Sequence, residues 1–185
     1  KGAGFSFIPT SLSASAALLT WCLIEWFRDG KPTAVGAATG AVAGLVGITP
    51  AAGFVYMPQA MIIGVATAVG CYIAVTIKSA IKFDDSLDAY AVHGVGGTIG
   101  ALLTGALAAP ALVPADYFPK SAAILASGGN GALFVAHIKA VLISYGFVGI
   151  GTAIILWIVG AMVGLRVTPE EEERGLDFVA HGEEA

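Results

Sequence analysis

Long apolar runs broken by short polar or proline-containing breaks organise this chain. A helix crosses the roughly 30 Å hydrocarbon core of a bilayer in about 20 residues. Five runs reach or exceed that length: 5–27, 32–54, 58–81, 86–109 and 134–165. The second is interrupted at Thr49-Pro50. The fifth is too long for one upright helix, which predicts a tilt or a projection beyond the bilayer. Between the last two runs, 110–131 carries Pro110, Pro114, Asp116, Lys120 and the turn signal Gly128-Gly129-Asn130, and it reads as a long loop. The fold class this predicts is all-α: a polytopic transmembrane bundle over 1–165 and a polar tail over 166–185.

Composition agrees with the pattern. Of 185 residues, 57% are hydrophobic and only 12% charged, against about 25% charged in an average soluble domain. More than half of the acids, from Glu170 to Glu184, lie in the tail. The rest carries too few charges to cover a water-facing surface. The formal net charge of −4 comes from that tail, and no nucleic-acid partner is read from it. Cys22 and Cys71 lie inside apolar runs and read as small packing residues. No cofactor or metal is implied.

Basic residues set the expected orientation. Counting by crossings, Arg28, Lys31, Lys78, Lys82, Arg166 and Arg174 share one side, and Lys1, Lys120 and Lys139 the other. The positive-inside rule makes the first side cytoplasmic, with the N-terminus outside and the tail inside. The first run lacks the layout of a signal peptide. Five spans starting outside then suggest a longer chain with an upstream part.

Gly36, Gly40 and Gly44 repeat every fourth residue, and Gly96/Gly100 and Gly160/Gly164 share that spacing. Small residues so spaced let helix backbones approach in lipid. Thr49-Pro50 marks either a kink or helix end, or freed backbone groups lining a wet cavity, because proline removes a donor.

His93 is the ionisable residue placed well inside a run, about 10 Å from its start at 1.5 Å per residue. Ionisable groups at such depth face a bundle interior or a pathway. Neutral imidazole both donates and accepts hydrogen bonds, which suits a small neutral hydrogen-bonding solute better than a hydrated cation. Asp84, Asp85 and Asp88 cluster where the fourth run begins and read as helix caps. His137 and His181 lack depth or partners and are assigned to no pore. An intramembrane enzyme would need a second catalytic group near His93; Asp88, five residues earlier, points to another face.

Several stretches then combine: Gly-Lys-Pro-Thr at 30–33, Ala-Gly-Leu-Val-Gly-Ile-Thr-Pro-Ala-Ala-Gly at 43–53, Asp-Asp-Ser-Leu-Asp-Ala-Tyr-Ala-Val-His-Gly-Val at 84–95 and Gly-Leu-Arg-Val at 164–167. Glu-Arg-Gly-Leu-Asp at 173–177 and His-Gly-Glu at 181–183 follow. In these the chain resembles the ammonium transporter family (Amt/Mep, related to Rhesus proteins), of bacterial or archaeal type, from the seventh span onward. The resemblance implies two inverted repeats, a homotrimer in the inner (plasma) membrane, and ammonium deprotonated outside and passed as ammonia through a narrow apolar pore. His93 matches the second of two facing pore histidines and Thr49 a pore-lining threonine. The first histidine, the gating phenylalanines and the recruitment site would belong upstream.

The same resemblance makes the tail regulatory. Its matching residues are Arg166, Glu173, Arg174, Gly175, Leu176, Asp177, His181 and Gly182. It implies a partner, a PII-type nitrogen-signalling protein at the cytoplasmic face. Pro169, the acids after it and Gly175 predict a short helix packed against cytoplasmic loops. An ammonium sensor or a Rhesus-type gas channel would use the same membrane fold.

Overall fold

The computed structural model describes residues 2–182. Lys1, one marker in the orientation count, and Glu183, Glu184 and Ala185 at the tail end lie outside them. Six α-helices follow in order: α1 (Gly2–Asp29), α2 (Ala34–Ile48), α3 (Met57–Ala80), α4 (Gly96–Leu107), α5 (Pro119–Val163) and α6 (Pro169–Arg174). π-helical turns span Tyr90–Val95 and Asp177–His181. The chain divides into two compact units, Lys1–Val141 and Leu142–Ala185.

In the first unit, α1 packs on α2 and α3, and both of these pack on α4 and on the π turn. The glycine stripe of α2 explains the close approach. A Cβ on Gly40 would fall 2.6 Å from the Cβ of Trp21, and one on Gly44 would fall 2.5 Å from the carbonyl oxygen of Ser13. Gly100 meets the backbone of Gly47, and Gly96 faces the Cys71 sulfur. Small buried residues such as Ala17, Ala43, Ala60, Ala68 and Cys71 fill the core, with Ile48, Val55 and Ile63 as its larger members. In lipid, van der Waals packing of this kind drives helix association.

Glu25 of α1 fixes the start of α2. Its carboxylate accepts the Thr33 backbone N–H at 2.7 Å and the Trp21 indole N–H at 3.2 Å. Thr33 in turn accepts the Gly36 N–H at 2.9 Å, an N-cap satisfying one of the free amides of the first turn.

Three sequence expectations change. Helix α2 stops at Ile48 instead of running to 54, so Thr49-Pro50 is a helix end. Six residues of turn follow, and the Phe54 carbonyl accepts the Ala109 N–H at 2.8 Å. The expected loop 110–131 is helical from Pro119, because proline is tolerated at a first helical turn. The Gly128-Gly129-Asn130 signal survives as a break in α5, where Gly129 takes φ 62° and ψ −162°. Finally, Gly160 meets only Leu165 and Gly164 meets nothing, so this pair is no helix-packing face among the described residues. Gly164, at φ 80°, instead follows the end of α5 in a conformation that glycine adopts without a Cβ clash.

In the second unit, the apolar part of α5 is exposed on all sides: Ile143, Phe147, Ile150, Trp157 and Met162 each show more than 60% of their surface. A helix apolar all round belongs in a protein core or in lipid. Among the described residues, four helical segments, including α1, α3 and α5, are long and apolar enough to cross a membrane, and α2 is shorter.

Candidate functional site

His93 sits in the π turn Tyr90–Val95, directly before α4. The turn is entered through Asp88, a non-glycine residue at φ 56°. Asp85 provides the cap that the sequence pattern predicts: its two carboxylate oxygens accept the N–H groups of Ala89 at 2.9 Å and Tyr90 at 3.0 Å. Asp88 does not cap. Its carboxylate lies 2.5 Å from the ammonium of Lys78 on α3, with both side chains largely shielded from solvent. Lys78 also donates to the Asp85 carbonyl at 2.6 Å. An aspartate opposite a lysine on a neighbouring helix gains more from the charge-assisted bond than from an amide already satisfied by Asp85.

The two residues before His93 are buried while His93 itself is exposed. Ala91 and Val92 face inward at 2% and 4% exposure. The imidazole has no hydrogen-bonding partner among the described residues. A π turn holds one residue more than an α turn, and such single turns recur at functional sites. Gly94 makes room within it: a Cβ there would lie 2.8 Å from the Tyr90 ring.

Thr49 caps the C-terminal end of α2 and is also exposed. Its hydroxyl donates to the Leu45 carbonyl at 2.7 Å, leaving its oxygen free to accept. Val42, Leu45 and Thr49, at helical spacing, form the uncovered stripe of α2. That helix packs directly on the π turn that carries His93.

His137 has a partner that its sequence position did not announce. Its Nδ1 lies 2.6 Å from the Ala101 carbonyl of α4. Gly105 leaves the space, since a Cβ there would come within 3.1 Å of the imidazole. Asn130 makes a second such tie, donating to the Ala108 carbonyl at 2.8 Å.

The tail residues come together locally. Thr168 and Glu171 form a reciprocal capping box that starts α6. Glu173 and Arg174 lie in that helix, which Gly175 ends at φ 89°. Leu176 leads into the second π turn, Asp177 opens it, His181 closes it and Gly182 ends it at φ 68°. The Arg174 guanidinium stands 5.6 Å over the Phe178 ring. The Thr168 backbone N–H and then its hydroxyl, donating to Glu171, hold that carboxyl below the usual glutamate range. Arg166 lies exposed between α5 and α6.

Apolar helices, small-residue packing and an imidazole placed within a membrane segment define an all-α, multi-pass membrane helix bundle. The sequence profile of the Ammonium Transporter Family matches residues 1–185. The chain is 41% identical over 185 residues to the ammonium transporter of Bacillus subtilis, covering 98% of this chain and 44% of that one. It is 40% identical over 188 residues to the ammonium transporter of Aquifex aeolicus, covering 100% and 42%. The crystal structure of Saccharomyces cerevisiae Mep2 superposes with a TM-score of 0.74 at 39% identity, over 91% of this chain and 38% of that one. A sensor Amt protein superposes with a TM-score of 0.80 at 30% identity, over 98% and 42%. The chain belongs to the ammonium transporter family, and it spans less than half the length of these relatives.

Proposed function

We propose that the chain forms part of an ammonium channel, with His93 and Thr49 on the wall of its pore. One observation carries the reading: an imidazole without a partner stands exposed on a membrane segment while Ala91 and Val92, just before it, are buried. A polar ring left uncovered in an apolar setting is costly unless a second wall or a passing solute meets it. The second wall comes from the part of the relatives' length that this chain does not span. Ammonium is deprotonated at the outer mouth and crosses as ammonia. His93 exchanges a hydrogen bond with the solute and with a facing histidine, and Thr49 offers its oxygen on the inward side. The cation itself is rejected because desolvating a charge costs far more than desolvating a neutral amine.

The bundle sits in the plasma membrane with Lys31 and Lys82 in the cytoplasm, the N-terminal end outside and the tail inside. It assembles as a homotrimer, and the tail receives a PII-type signalling protein. The decisive experiment is His93→Ala in the intact transporter, reconstituted in vesicles. Loss of selective ammonia flux is expected. Wild-type flux with unchanged selectivity rejects the pore assignment.

A further inference from the structure

The π turn that carries His93 is held from α3 at two points. At its entrance Lys78 pairs with Asp88 at 2.5 Å and donates to the Asp85 carbonyl at 2.6 Å. Asp85 is thereby fixed while its carboxylate holds the amides of Ala89, which precedes the turn, and Tyr90, its first residue. In the middle of the turn the buried Cys71 thiol donates to the Val92 carbonyl across 3.6 Å, a length suited to sulfur. Val92 is the residue before His93, and that carbonyl also accepts the Gly96 N–H that closes the turn. Cys71 and Lys78 are seven residues apart on α3, so two helical turns bring them to one face. Between α3 and the turn lies an apolar cleft of 350 Å³, lined by Ala74, Ile77, Lys78, Tyr90, Ala91 and Val95. Packing is therefore incomplete on this side, and the polar ties supply what close packing does not.

We infer that Lys78 and Cys71 are positioning residues for the His93 imidazole, acting on the backbone of its π turn and not on the solute. The inference rests on the pore reading of His93. The chemistry favours position over bulk stability. The Lys78 ammonium reaches both the Asp88 side chain and the Asp85 main chain, so it fixes the angle of entry as well as the separation. Cys71 presents a single weak donor to one carbonyl beside the imidazole. A shift of about 1 Å at a positioned group is enough to cost two orders of magnitude in a process that depends on alignment.

The test uses the intact transporter in vesicles and compares ammonium flux with potassium leak. Lys78→Met is expected to lower that selectivity by about tenfold or more, following the cost of small misplacements, while the purified protein keeps its oligomeric state and melting temperature. Lys78→Arg, which keeps the charge and the donors, is expected to restore it. The pair Cys71→Ala and Cys71→Ser separates donor from volume: Ala lowers selectivity and Ser keeps it. Unchanged selectivity in Lys78→Met overturns the inference. So does a loss of folding, with Lys78→Arg folding normally but remaining unselective. His93→Ala in the same series separates the two claims: if it stays selective the pore reading itself fails, and if it alone loses selectivity only the positioning role fails.

Discussion

The Ser13 hydroxyl donates to the Gly44 carbonyl at 2.9 Å, tying α1 to α2 through a bond buried from both sides. It forms only because Gly44 has no side chain: a Cβ there would stand 2.5 Å from the Ser13 carbonyl oxygen, 2.6 Å from the Ala17 Cβ and 2.9 Å from the Ala14 Cα. Two of these are backbone and the third is a Cβ, so none yields by rotating a side chain. Gly44→Ala is expected to destabilise the bundle by about 1–3 kcal/mol, the usual cost of overpacking. Ser13→Ala keeps the spacing and is expected to cost about 0.6 kcal/mol, the average for hydrogen bonds between membrane helices. Thermal melting in mild detergent checks both, and an equal melting temperature for Gly44→Ala and wild type would reject the packing account.

That glycine stripe was legible from the sequence because it depends only on helical period. Gly36, Gly40 and Gly44 face α1 as their spacing of four requires. The all-α membrane class was legible for the same reason, being a matter of run length and charge. What the sequence did not disclose depends on contacts distant along the chain. Lys78 and Asp88 lie on opposite sides of an irregular turn, so no period relates them. His137 finds its carbonyl 36 residues upstream. The π geometry around His93 leaves no mark in hydropathy, since adding one residue to a turn changes which face a side chain meets and not its polarity. The break at Gly129 was visible as a turn signal, yet the helix preceding it was not, because Pro114, Asp116 and Lys120 weigh towards loop.

Topology offers an independent check on the proposed orientation. Arg28, Lys31, Lys78 and Lys82 cluster at one set of helix ends. Asp29 ends α1 and Asp116 lies before α5, and the proposed orientation puts the two on opposite faces. Single cysteines at Asp29 and Asp116, in a background lacking Cys22 and Cys71, are expected to react with impermeant maleimide from opposite faces of sealed vesicles. Labelling of both from one face overturns the proposed order of spans.

The tail has its own pH dependence. Glu171 accepts the Thr168 N–H at 2.8 Å and the Thr168 hydroxyl at 3.0 Å. These bonds favour the ionised carboxyl and hold it below the ordinary value. A lowered value in the folded tail means that the stabilisation is complete above the ordinary glutamate value of about 4.3. It disappears as pH falls through the lower folded value. Amide exchange over 171–174 is therefore expected to be slow at neutral pH and to lose protection, after correction for intrinsic rates, as the solution is acidified. Thr168→Ala is expected to show the weaker protection at every pH. Identical corrected profiles for wild type and Thr168→Ala would show that the capping box contributes nothing to α6.

The tail is also the proposed receiver of a signalling partner, and its geometry says which part should matter. The capping box starts α6 at Thr168, Gly175 at φ 89° turns the chain, and Arg174 stacks on Phe178 across that turn. The Gly175 carbonyl accepts the Val179 N–H at 3.1 Å, joining the two helical pieces into one folded element. Glu170, Glu172 and Glu173 remain exposed on it, while Arg166 stands just before it. A charged, structured element of this kind can present a fixed surface, which a flexible acidic tail cannot do without losing chain entropy on binding. Deleting 168–185 in the intact transporter is expected to abolish co-purification with a PII protein and to alter ammonium flux in vesicles. Gly175→Val refines the test. A β-branched side chain is strained at that positive φ, so the two pieces should separate with every charge retained. Loss of PII binding in Gly175→Val would assign recognition to the folded shape. Full binding in both Gly175→Val and the deletion, with flux unchanged, would leave the tail as a solvated end and reject its regulatory role.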